Sequence, residues 1–163
     1  MRYAMKQKLF CLGDDYRILD QNGSDVYLVD GKAFAILRKR LVFLDMAGNE
    51  LAEIRQRLLS WGPSYDIFRD GEVVATVSKH LFTLVFCKFT VDVPGPDDLE
   101  ATGSFFDYEY VFRRHGREVA TVSKKYFSWT DAYGVDIVND EDEIVILAST
   151  VVIDLCCHAD AHK

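Results

Sequence analysis

NDEDEIVILASTVVIDLCCH, residues 139–158, breaks every pattern that precedes it. From Ile144 to Cys157 the stretch is apolar except for Ser149, Thr150 and Asp154, with no alternation, glycine or proline. That run is too long for one ordinary strand and has no turn signal at its middle. Its acidic start, Asp140–Glu143, suits a helix N-terminus, where carboxylates meet the positive end of the helix dipole. The spacing therefore predicts a helix of about four turns over residues 141–157. β-branched residues disfavour it as an isolated helix, so it must draw its stability from its surroundings. Apolar on all sides, a helix this short is expected to be buried in protein rather than to span a bilayer.

Working outward, the upstream chain reads as strands. VATVSK occurs twice, at Val74–Lys79 and Val119–Lys124. The match extends to Arg69/Arg114, Gly71/Gly116 and Phe82/Phe127. A fainter copy, GNELAEIRQRLLSW, places Gly48, Ala52 and Ile54 at the equivalent positions; Trp61 and Trp129 each fall 13 residues after their glycine. DLEATGS (Asp98–Ser104) reads as a degenerate fourth copy. The unit is about 23 residues: strand, glycine turn, strand. Within EVVATVSK, alternation puts Val73, Ala75 and Val77 on one face. Turn signals recur in QNGSD, VDGK, MAGNE, RDGE and RHGR. Roughly a dozen short strands followed by one buried helix predict a mainly β fold: a closed antiparallel barrel of about 12 strands around a central hydrophobic C-terminal helix. Residues 1–157 form a single domain, and 158–163 read as a flexible tail.

Composition narrows the function classes. The net charge of −7 opposes general nucleic-acid binding, which needs a basic surface. The N-terminal stretch MRYAMKQKLFCLGDDY does not read as a signal peptide, and no run is long enough to cross a bilayer. Cysteines 11, 87, 156 and 157 form no C-x-x-C and suit reduced thiols in a cytoplasm.

The residues MKQKLF (Met5–Phe10), DMAGNELAEI (Asp45–Ile54), GREVATVSKKYFSW (Gly116–Trp129) and the closing YGVDI–acidic–IVILASTVVID resemble, in order and spacing, the LURP-one-related proteins. These belong to the tubby C-terminal-like superfamily with the phospholipid scramblases. The resemblance implies a twelve-stranded barrel threaded by a hydrophobic helix. It implies no function for this member, although tubby relatives bind phosphoinositides through basic residues and scramblases act on membranes.

A strand-end lysine in VATVSK would suit phosphate chemistry only beside a glycine-rich loop and an H-R-D segment, and the chain has neither. The hairpin around MAGNE is the stronger candidate. With strands at 33–45 and 50–59 and Asp45 opposite Glu50, Leu41 meets Ile54 and Phe43 meets Ala52 on one face. The other face pairs Arg40 with Arg55 and Arg38 with Arg57. Like charges opposed across strands destabilise each other, so Arg38, Arg40, Arg55 and Arg57 invite an anion such as a phospholipid headgroup. Partner carboxylates on a neighbouring strand or plain solvation would equally neutralise them.

Cys156, Cys157, His158 and His162 are soft metal ligands, but their spacing suits no zinc site. Asp154 either anchors the helix to the barrel or marks where it reaches solvent. YFSWTDAYG (126–134) reads as core packing at a barrel end ahead of a binding patch. No catalytic motif and no cofactor motif is present. Two readings remain: a non-enzymatic binding module for an anionic lipid or other anion, peripheral at a membrane, or a protein-interaction scaffold. An enzyme is disfavoured because the helix fills the interior.

Overall fold

The computed structural model describes residues 1–7, 15–31, 38–81, 87–125 and 132–158. Twelve antiparallel strands close into a barrel. They are β1 (Arg2–Gln7), β2 (Tyr16–Leu19), β3 (Asp25–Gly31), β4 (Arg40–Asp45), β5 (Glu50–Gln56), β6 (Ser64–Arg69), β7 (Glu72–Leu81), β8 (Cys87–Asp92), β9 (Leu99–Ser104), β10 (Glu109–Arg114), β11 (Arg117–Ser123) and β12 (Ala132–Ile137). Each strand pairs with its sequence neighbours, and β1 pairs with β12 to close the ring. The helix α1 (Glu143–His158) follows, with Val145–Leu155 wholly buried. Inward-facing Phe43, Ile54, Ile67, Phe89, Phe112 and Val135 form a shared core with Ile146, Leu147, Val151 and Val152 of α1. The expected barrel and threading helix are therefore present, with the helix shifted by one or two residues.

The repeat has a structural signature that alternation does not show. Register shifts occur at Phe43/Leu44, Ile67/Phe68 and Phe112/Arg113, opposite Leu51, Val74 and Val119. Each of these extra residues directly precedes the alanine of its repeat: Ala52, Ala75 or Ala120. A fourth shift, at Ile18/Leu19, leaves Val26 extra in β3. Such bulges bend a strand and increase its twist, which a closing sheet needs. They also overturn one expectation. Ala75 and Val77 are buried, but Val73 lies beyond the bulge and is exposed.

Polar contacts fix both ends of α1. At its N-terminus, Asp142 Oδ1 accepts from Val145 N at 3.1 Å and so caps the first turn. Arg69 grips the same carboxylate with two bonds of 2.9 and 3.0 Å. Tyr3 and Tyr27 hydroxyls donate to Glu143 at 2.5 and 2.6 Å, and Arg114 pairs with Glu141. Burial, with the Glu143 carboxylate beside it, pushes the Tyr27 hydroxyl up to about 12. The acidic run is thus a lock between helix and barrel. Inside, Ser149 and Thr150 donate to the carbonyls of Val145 and Ile146, so their buried hydroxyls are satisfied.

At the other end, Tyr16 donates to Asp154 Oδ2 at 2.6 Å, which makes Asp154 an anchor rather than a solvent marker. Lys79 Nζ donates to Cys156 O at 3.2 Å, where the last helix carbonyls lack partners and cations are favoured. Lys124 lies 4.4 Å over the Tyr108 ring, which itself stacks on His158. The two VATVSK lysines therefore fasten the helix C-terminus, one directly and one through an aromatic stack. His158 is the last helical residue, not the start of the tail; 159–163 lie outside the described residues.

Candidate functional site

β4 and β5 pair Arg40 with Arg55, Leu41 with Ile54 and Phe43 with Ala52, as the alternation predicts. Two expected pairings differ. Asp45 does not face Glu50; the bulge sets Leu44 there. The Asp45 carboxylate instead folds over the turn and accepts from Ala47 N and Asn49 N at 2.9 and 2.8 Å. The ladder also ends at Arg40 and Arg55, with a last bond from Gln56 N to Lys39 O at 2.9 Å. Arg57 turns away, its N–H donating to Ser64 O. Arg38 and Arg57 thus stand just past the strands, at the barrel end where α1 terminates, and residues 32–37 of the expected longer strand lie outside the described residues.

Carboxylates answer most of this charge. Glu53 lies on the outer face of β5 yet is only 4% exposed. Arg55 grips it through two hydrogen bonds of 2.6 and 2.7 Å, and Arg40 Nε donates to the same carboxylate. The guanidinium of Arg55 also lies 4.3 Å over the Phe68 ring. Arg57 lies 3.7 Å from Asp66, which faces Arg55 from β6. The depression beside Arg55, about 160 Å³, is lined by Glu50, Glu53 and Asp70. Those carboxylates repel an anion at Arg55. The face is therefore divided. Arg40 and Arg55 are occupied by Glu53, while Arg38 and Arg57 stand at the rim, exposed or partly so.

Hydrogen bonds from Arg55 and then Arg40 hold the Glu53 carboxyl below its ordinary value of 4.5. A lowered carboxyl contributes stability above the unfolded value and loses it as pH falls through the folded one. Glu53→Gln should therefore destabilise the protein at pH 7 by roughly 1 kcal/mol, a small figure because both arginines are partly exposed. In urea titrations the difference from the parent should shrink steadily below pH 4.5. A difference that stays constant down to acid pH would contradict this.

The two barrel ends differ in charge. At the helix N-terminal end the connections carry Asp20, Asp70, Asp97, Asp98, Asp140, Glu141 and Asp142 and no lysine or arginine; of the arginines at the strand ends there, Arg69 and Arg114 are paired with Asp142 and Glu141, and Arg117 opens β11. At the opposite end, Arg38, Lys39, Arg57, Lys79, Lys124 and Lys125 lie at or near strand ends and outnumber the acidic Asp15 and Asp107 of the described connections there. Sequence reasoning found two of these six as site residues; the others need the topology to bring them together. The thiols of Cys156 and Cys157 lie at this end too, pushed up by burial to about 12 and about 11, so they stay protonated and unreactive. Among the described residues no cluster of His, Cys, Asp and Glu could hold a metal, and no helix is long and apolar enough to cross a membrane. His162 and most of the aromatic segment 126–134 lie outside the described residues; Tyr133 is buried in β12.

Comparison with known proteins agrees with this architecture. A protein of Arabidopsis thaliana solved by X-ray crystallography superposes with a TM-score of 0.69 over 99% of this chain and 92% of its own, at 18% identity, which shows the shared fold. The uncharacterized protein YxjI of Bacillus subtilis (strain 168) is 31% identical over 156 residues, covering 96% of this chain and 93% of the relative. The LURP-one-related family profile matches residues 1–154. On a match of that extent, the chain belongs to the LURP-one-related family.

Proposed function

We propose that this protein is a non-enzymatic module that docks on an anionic phospholipid surface through the basic barrel end. One observation carries the reading: a chain of net charge −7 collects cationic side chains around the helix C-terminus and leaves the connections of the other end acidic. In the field of an anionic membrane that separation both attracts one end and turns the other away. Arg38 and Arg57 are the contacts nearest the surface. Arg40 and Arg55, held on Glu53, add to the field without gripping a headgroup. The non-enzymatic part of the reading rests on α1, which fills the interior where a substrate pocket would otherwise lie.

Vesicle co-sedimentation tests it. The protein should bind phosphatidylserine-containing vesicles and not pure phosphatidylcholine vesicles, with affinity falling as salt rises. Each basic residue near an anionic surface contributes about 1 kcal/mol, so Arg38→Ala/Arg57→Ala should weaken binding roughly 30-fold. Equal binding to both vesicle types, or an unchanged double variant, would discard the proposal. Capture by a protein partner with no vesicle binding would favour a scaffold instead.

A further inference from the structure

The β5–β6 connection, Arg57–Pro63, presents an apolar tip whose side chains have no place in the core. Leu58 is 57% exposed, Leu59 96% and Trp61 103%. This loop is built rather than loose. Arg57 N donates to Ser64 O at 2.9 Å, Ser60 Oγ to Gly62 O at 2.7 Å, and Lys79 N to Pro63 O at 3.0 Å. The last of these bonds ties the loop to the end of β7, where Leu81 is also exposed. Phe106, in the β9–β10 connection, is exposed at the same end and meets the His158 ring at 6.0 Å. A defined backbone therefore holds two leucines and a tryptophan in water. Exposed apolar patches with a polar rim mark interaction sites.

We propose that Leu58, Leu59 and Trp61 form a membrane-inserting tip that enters the interfacial layer of an anionic bilayer while Arg57 and Arg38 engage its headgroups. This rests on the reading of the basic end given above and adds the apolar half of the contact. Charge complementarity selects the occupant. The tip emerges between cations, at the basic end of an otherwise acidic molecule, and a bilayer offers an anionic layer above an apolar one in that order. Tryptophan suits the boundary, with its ring in the acyl region and its N–H among polar groups. Leucines reach deeper, and their burial supplies affinity that salt does not screen. The barrel then stands end-on, with its acidic connections facing away from the membrane.

The tip predicts a signal that charge attraction alone does not give. The chain has two tryptophans, so the emission of Trp61 is read as the difference between the parent and Trp61→Phe. On phosphatidylserine-containing vesicles that difference spectrum should shift to the blue and be quenched by bromine placed high on the acyl chains. Leu58→Ser/Leu59→Ser, at exposed positions, should leave the thermal midpoint unchanged and weaken vesicle binding at least tenfold, including at high salt. If the vesicles bind, with the Arg38/Arg57 dependence described, but the Trp61 emission is neither shifted nor quenched, insertion is excluded and charge-driven docking stands. If phosphatidylserine vesicles do not bind at all, both fall. A blue shift that depends on protein concentration and needs no vesicle would assign the tip to a second copy of the chain and overturn the proposal.

Discussion

Leu147→Ala should lower the free energy of unfolding by about 4 kcal/mol, toward the upper end of the range for buried leucines. Leu147 has no exposed surface and lies in the second turn of α1, inside the closed barrel. The cost of such a truncation depends on how far the surroundings collapse into the space. A ring of twelve strands, each hydrogen-bonded to two neighbours, cannot contract on one side without breaking its ladder. The cavity should therefore persist, and its volume adds to the lost transfer free energy. In a chain of this size that amounts to about 10 °C in the thermal midpoint. Urea titrations of the purified variant would measure it directly. A loss below about 1 kcal/mol would mean that the barrel closes around the gap and is not rigid.

Gly103→Ala should be comparably damaging, for a different reason. Gly103 has φ +142°, a conformation that side chains disfavour, and it faces Tyr110 in the β9–β10 ladder. A Cβ built there would lie 2.5 Å from Glu109 O and 2.7 Å from the Tyr110 Cα. Both obstacles are backbone, so no rotamer change relieves them. Strain and overpacking together should cost about 3 kcal/mol or more. Gly71→Ala provides the control: it too has a positive φ, +81°, but nothing lies within 4 Å of the added carbon. That variant should lose only about 1–2 kcal/mol. Equal losses in the two would show that backbone conformation, not the close approach of β10, sets the cost at Gly103.

The contrast between these two glycines marks how far a sequence can be read. The apolar run of α1 and the period-2 strands were legible because burial dictates composition directly. The pairing Arg40↔Arg55 followed from alternation about the MAGNE turn. The bulges did not follow. One extra residue shifts the pleat without changing composition, so Val73 reads as core and is exposed. Its only signal is an apolar residue directly before the repeated alanine, as in ELA, VVA and EVA. The candidate site was half legible. The arginines could be placed on a face, but not the covering of Glu53 or the approach of Asp66 from β6, which depend on packing between strands. Trp61 was visible only as a repeat position shared with Trp129; exposure is a property of the loop's path, which composition does not encode.

The seam of the barrel has a consequence for how the molecule comes together. β1 and β12 join through pairs such as Arg2↔Asp136, so β1 gains its second neighbour only once β12 has been made. Hairpins between adjacent strands form locally and fast, but none can bury its inner face until α1, synthesised after all twelve strands, is available to cover it. Closure of the ring and seating of the helix are thus a single late event, with a large loop entropy to overcome before any of the core is gained. During synthesis the ribosome would hold a string of hairpins with exposed apolar faces, which makes the interval before α1 emerges the period of greatest aggregation risk.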